Sequence, residues 1–123
     1  MPRVPLIAIV DDDDALRNSL DNLIRSVGFR AEGFASAEAF LQSQRAPETA
    51  CLILDVRMTG MNGLALQRQL ETANWHIPII FVTAYVEDDV RARALAAGTV
   101  AFLSKPCCEE DLLTAIETAL TPP

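Results

Sequence analysis

Leu6-Ile7-Ala8-Ile9-Val10-Asp11-Asp12-Asp13-Asp14 decides how the rest of this chain is read. Its apolar part is short, rich in Ile and Val and free of polar alternation, which predicts a strand over Val4–Val10 buried on both faces. The run stops in four consecutive acids. Later apolar runs repeat the plan with one polar group each: Leu52-Ile53-Leu54 delivers Asp55, Ile79-Ile80-Phe81-Val82 delivers Thr83, and Ala101-Phe102-Leu103 precedes Lys105-Pro106. As parallel strands of one sheet, these runs would place their carboxyl ends side by side. Carboxylates, a hydroxyl and an ammonium would then meet at one crevice, where open α/β sheets bind ligands.

Helical periodicity fills the gaps between the runs. Leu16, Leu20, Leu23, Ile24 and Val27 share one face, with Asp13 or Asp14 as the N-terminal cap and Gly28 as the stop. Phe29–Phe34 reads as a second, less apolar strand nearer an edge, and Ser36 caps a short helix carrying Ala37, Phe40 and Leu41. Strands are expected over Cys51–Leu54, Pro78–Val82 and Val100–Leu103, and helices over Leu64–Thr72, Val86–Ala97 and a last segment carrying Leu112, Leu113, Ile116 and Leu120. Five βα units predict a five-stranded, doubly wound parallel sheet with helices on both faces. Residues 1–123 read as one domain, with Thr121-Pro122-Pro123 suited to the start of an interdomain linker.

Bulk properties exclude several classes. The net charge of -7 argues against direct nucleic-acid binding, which needs a basic face. No apolar stretch approaches the roughly 20 residues that span a bilayer, and no signal peptide opens the chain. Cys51, Cys107 and Cys108 lack metal-ligand spacing and read as reduced cytosolic thiols. The single histidine, His76, reads as a loop residue.

Capping explains one acid of the four, but not Asp11 and Asp12 at the strand end. Clustered carboxylates repel and call for a counter-ion. A hard divalent cation such as Mg²⁺ takes oxygen ligands and keeps several waters, with Asp12 and Asp55 as direct ligands and Asp11 holding a bound water. Repulsion should make the empty cluster harder to ionise than isolated carboxylates. Asp55 becomes a competent nucleophile once a metal screens its charge and orients a phosphoryl group.

Together these pieces resemble a known family. Val10-Asp11-Asp12-Asp13-Asp14, Leu54-Asp55-Val56-Arg57-Met58, Gly60-Met61-Asn62-Gly63, Val82-Thr83-Ala84-Tyr85, Ala97-Gly98 and Ser104-Lys105-Pro106 follow the order and spacing of bacterial two-component response-regulator receiver domains, the CheY-like family. Ser36–Leu41 and Val86–Val90 resemble its FixJ-type subgroup. The resemblance implies that Asp55 accepts a phosphoryl group from a sensor histidine kinase. It implies Mg²⁺, or Mn²⁺ in its place, held by Asp11, Asp12, Asp55 and the main-chain carbonyl of Arg57. Thr83 and Lys105 would contact the phosphoryl group, and Phe102 would be the switch aromatic that turns inward as Thr83 moves. Arg57 and Tyr85 would modulate hydrolysis of the phosphoryl group.

The resemblance further implies a cytoplasmic signalling module whose only chemistry is phosphorylation and dephosphorylation of itself. It would switch a surface of the fourth helix, fifth strand and fifth helix, dimerise when phosphorylated, and control transcription through a separate DNA-binding output domain. Membrane contact is not expected. Two departures stand out: Thr59 replaces a common proline, freeing the loop, and Cys107 replaces a bulky apolar residue after a Lys105-Pro106 bond expected to be cis. Competing readings are a metal-dependent phosphohydrolase, a flavin or nucleotide domain and a non-phosphorylated adaptor. The first would want an acid where Arg57 stands, and the second a glycine-rich loop where the four acids stand.

Overall fold

Each apolar run forms a strand, and all five pair in parallel. The computed structural model describes residues 4–58, 60–84 and 86–121. Along the chain lie β1 (Leu6–Val10), α1 (Asp14–Ser26), β2 (Arg30–Phe34), α2 (Ala37–Gln42), β3 (Thr49–Leu54), α3 (Gly63–Thr72), β4 (Ile79–Thr83), α4 (Asp88–Ala96), β5 (Ala101–Ser104) and α5 (Glu109–Leu120). The sheet order is β2-β1-β3-β4-β5. The less apolar β2 is therefore an edge strand, as its sequence predicts, while the more apolar β1, β3 and β4 lie inside.

Strand side chains alternate between faces, and two cores result. Ala8, Val10, Leu52, Leu54, Ile79 and Phe81 meet Phe40 of α2, Leu66 and Leu70 of α3 and Ala94 of α4. Ile7, Ile9, Cys51, Ile53, Ile80 and Val82 meet Leu20 and Ile24 of α1 and Leu112, Ala115 and Ile116 of α5. Burial on both faces explains why these strands show apolar runs rather than alternation.

Local signals set most boundaries. Asp13 caps α1 by accepting from the Leu16 amide at 3.2 Å, and Ser36 caps α2 by accepting from the Ala39 amide at 3.0 Å. Gly28 follows α1 with φ +97, a conformation that favours glycine.

Most bounds shift by a residue or two: β1 starts at Leu6 rather than Val4, β3 at Thr49 rather than Cys51, and β4 and β5 each run one residue later than expected. The fourth helix begins at Asp88 rather than Val86, because Glu87 is its extended N-cap with φ -98 and ψ 132. A short 3-10 turn over Ala46–Glu48, opened by Pro47, precedes β3 and was not anticipated. His76 is exposed in the loop before β4, as expected. The helix α5 ends at Leu120, with Thr121 as its cap. The rest of the expected linker start, Pro122 and Pro123, lies outside the described residues, as do Thr59 and Tyr85.

Candidate functional site

The β1 and β3 ends are fastened together by main-chain bonds, since the Asp55 amide donates to the Val10 carbonyl at 3.1 Å. Asp11 and Asp55 therefore emerge next to each other, both buried. Oxygens of Asp11, Asp12 and Asp55 all lie within 4.8 Å of one another, with Asp12 the exposed member. This is the convergence that the strand ends predict, and a set of close carboxylate oxygens open to solvent on one side suits a hard divalent cation.

Lys105 reaches the same point. Its amide donates to the Thr83 carbonyl at 2.8 Å, which fixes the β5 exit against the β4 end. Its ammonium donates to Asp11 Oδ2 at 2.8 Å and to Asp55 Oδ2 at 2.9 Å. The ammonium thus bridges the two buried carboxylates, beside the oxygens that a phosphoryl group on Asp55 would carry. The other Asp55 oxygen, Oδ1, accepts from the Arg57 amide at 3.2 Å. The Lys105-Pro106 bond is cis, as expected.

Thr83 closes the rim at the end of β4. Its Oγ1 is the one buried side-chain polar atom without a hydrogen-bond partner among the described residues. Such an atom costs about 1–3 kcal/mol, a cost that an incoming acceptor oxygen would remove. Phe102 is half-buried on β5, its ring 5.6 Å from that of Phe81. The Arg57 side chain is exposed and pairs with Glu87 at the start of α4, a partnership not read from the sequence. Arg17 and Glu38 were also missed. Arg17 of α1 donates to the Asp11 carbonyl at 2.7 Å, and Glu38 of α2 accepts from the Met61 amide in the loop after Asp55. Long side chains reach across loops, and no spacing rule announces their partners. All three cysteines are free, and burial pushes the Cys51 thiol up to about 12.

Burial raises the Asp11 carboxyl above its ordinary value, and the neighbouring Asp55 charge adds to this. Hydrogen bonds from Lys105 and the Asp13 amide oppose the rise without cancelling it. The direction matches the repulsion argument, but desolvation is the larger cause. Burial pulls the Lys105 ammonium down, yet its bonds to Asp11 and Asp55 leave it raised overall. A stability consequence follows from Asp11. As pH rises from the ordinary value of 3.8 through the higher folded-state value, the unfolded chain releases its proton first. The folded state then binds more protons, so stability must fall across that window. Urea midpoints of the metal-free protein, taken relative to Asp11→Asn, should decline from pH 3.8 upward. A constant difference would contradict the assignment.

A doubly wound sheet with acids, a threonine and a lysine on one carboxyl-end rim defines a class: an α/β domain with a cation-seeking acidic pocket. Residues 7–117 match the response regulator receiver domain, and the chain belongs to that family. It is 45% identical over 114 residues to Nodulation protein W of Bradyrhizobium diazoefficiens, an alignment covering 93% of this chain and 50% of that protein. It is 47% identical over 115 residues to the response regulator protein TmoT of Ectopseudomonas mendocina, covering 94% and 52% respectively. The crystal structure of FixJ-N superposes with a TM-score of 0.85 at 34% identity, covering 97% of this chain and 95% of that one.

The chain thus spans about half the length of the curated relatives it matches. The family is one of signalling rather than catalysis, its receiver domains interact with sensor kinases and output domains, and they generally bind Mg²⁺ at an acidic pocket. The phosphohydrolase and adaptor readings gain nothing from these matches. No helix among the described residues is long and apolar enough to cross a membrane.

Proposed function

We propose that this chain is a phosphorylation-activated receiver whose phosphoacceptor is Asp55. The observation that carries this reading is Lys105 bridging Asp11 and Asp55 beside the unpartnered Thr83 hydroxyl. In the transfer step an Asp55 carboxylate oxygen bonds to phosphorus as the P–N bond to a kinase phosphohistidine breaks, and the imidazole leaves with that electron pair. Asp11, Asp12, Asp55 and the Arg57 carbonyl would hold Mg²⁺, with Mn²⁺ able to replace it. When bound, the cation screens the negative charge gathered by the acids and the incoming phosphoryl oxygens.

The chain's own residues do the rest. Phosphorylation replaces one negative charge by nearly two and adds acceptor oxygens. Lys105, already beside Asp55, pairs with the new oxygens, and the Thr83 hydroxyl donates to one of them. Each such bond contributes about 1.5–3 kcal/mol, and 1.4 kcal/mol is a tenfold change in population. The β4 and β5 ends that carry these groups shift, Phe102 turns inward, and the α4-β5-α5 surface changes state. Arg57 and Tyr85 modulate the lifetime of the phosphoryl group.

Residues 1–123 constitute one receiver domain, phosphorylated by a sensor histidine kinase in the cytoplasm. Phosphorylation promotes a homodimer, and a separate output domain binds DNA to control transcription. Self-phosphorylation and self-dephosphorylation are its only reactions. Incubation with Mg²⁺ and acetyl phosphate should add one phosphoryl mass, and a chelator present from the start should prevent it. Protein that keeps its mass under saturating donor and Mg²⁺ would refute the reading.

A further inference from the structure

A glycine in the middle of a strand needs a reason, because it weakens the strand and often marks a close approach. Gly33 of β2, paired opposite Ile9 of β1, has none of the positive φ values found at Gly28, Gly60 and Gly98. Its backbone does not require glycine. Space is tight instead: a Cβ there would lie 3.3 Å from Cδ of Arg17 and 3.7 Å from its Nε, so the arginine side chain would have to give way by a few tenths of an ångström, and a larger side chain would press on it further. The Arg17 side chain crosses the strand at this point, only 18% exposed, on its way to the β1 end.

There one guanidinium nitrogen, Nη1, donates to the Asp11 carbonyl at 2.7 Å, while Nη2 pairs with Asp14. The Asp11 carbonyl and the Asp12 amide belong to one rigid peptide plane. Fixing that oxygen therefore fixes where Asp12 begins and narrows the region its carboxylate can reach. The same turn is held by the Asp11 amide donating to Phe34 at 3.1 Å and the Asp13 amide donating to Asp11 Oδ1 at 2.9 Å. Neither bond restrains the Asp11–Asp12 peptide oxygen. Only Arg17 does so among the bonds described at this turn.

We infer that Arg17 is a positioning residue of the acidic site, aiming the Asp12 carboxylate at the point it shares with Asp11 and Asp55, and that Gly33 is glycine to keep its path open. This rests on the reading of that cluster as a divalent-cation site. Charge and position make opposite forecasts for Arg17. A guanidinium near three carboxylates repels an incoming cation, so removing it should tighten binding if charge were its whole effect. If positioning dominates, removing it loosens binding.

Titration of the unphosphorylated protein with Mn²⁺, followed by the free-ion electron paramagnetic signal, separates these. Arg17→Met keeps the length and removes the donors; it should weaken Mn²⁺ binding about tenfold or more, as loss of an outer-shell partner typically does. Gly33→Val leaves the guanidinium in the sequence but blocks its path, and should weaken binding in the same direction. Valine suits an edge strand, so this variant decides the matter if Arg17→Met does not fold. Faster amide exchange at Asp12 in metal-free Arg17→Met would support the same conclusion. Binding that is unchanged or tighter in Arg17→Met, or unchanged in Gly33→Val, would overturn the role of Arg17 while leaving the cation site standing. A wild type that fails to bind Mn²⁺ would overturn both.

Discussion

An Asp55→Asn chain is expected to gain no phosphoryl mass from acetyl phosphate and Mg²⁺, a rate loss of at least about a thousandfold, while keeping its fold. An amide oxygen is a poor nucleophile, so the chemistry stops at the substituted atom. The nearest acids have other duties, Asp12 as a ligand of the cation in the proposed site. Asp11 is buried and engaged by Lys105 and by the Asp13 amide, and Asp13 is committed to capping α1. Stability should survive for reasons visible at the same site. Asp55 contributes one of two negative charges around Lys105, and the Lys105–Asp11 bond at 2.8 Å remains when Asp55 is neutral. Removing the Asp55 charge also removes part of what makes Asp11 hard to ionise. Intact-mass measurement beside a urea melt tests both halves. Phosphoryl mass retained by Asp55→Asn would move the acceptor elsewhere, whereas collapse of the fold would mean that the Lys105–Asp55 bond carries more stability than its surroundings indicate.

The sheet and its rim were legible in the sequence because strand ends announce themselves. A run buried on both faces cannot continue through a charged residue, so the point where Val10 meets Asp11, or Leu54 meets Asp55, marks both the end of a strand and the edge of the crevice. Caps were legible for a similar reason: Asp13 and Ser36 are polar residues placed directly before apolar helical periodicity. The start of α4 was not. Its sequence is rich in Ala and Arg, Ala94 is buried while Leu95 next to it is 43% exposed, and no clear apolar stripe fixes the first turn. Within the site, residue types were legible and pairings were not. Lys105 has three donors, and which carboxylates they meet depends on how deeply each acid is buried. Arg17 could have been foreseen only through Gly33, a strand glycine without a turn to justify it.

Gly63→Ala should destabilise the protein by about 3 kcal/mol, at the upper end of what overpacking costs, which lowers the melting temperature by roughly 10 °C in a domain of this size. Propensity alone forecasts the opposite sign. Gly63 is the first residue of α3, following an Asn62 cap whose Oδ1 accepts from the Ala65 amide at 2.9 Å. Alanine in a helix is favoured over glycine by about 1 kcal/mol. The surroundings of Gly63 decide the matter. A Cβ at this position would sit 2.3 Å from the carbonyl oxygen of Asp55 and 2.9 Å from Cε1 of Phe81. The first neighbour is backbone and cannot rotate away. It is held on one side by the Asp55 amide bond to Val10 and on the other by the Gly63 amide bond to Val56 at 2.9 Å. Relief requires α3 to back away from the sheet or Asp55 to leave its place, so the substitution should also slow phosphorylation. Gly28→Ala supplies the comparison: its φ of +97 carries backbone strain, but nothing lies within 4 Å of the added carbon. That variant should lose only about 1–2 kcal/mol. Thermal melts of the two proteins decide the issue, and a Gly63→Ala loss no larger than that of Gly28→Ala would show that the α3 start can yield without disturbing the acceptor.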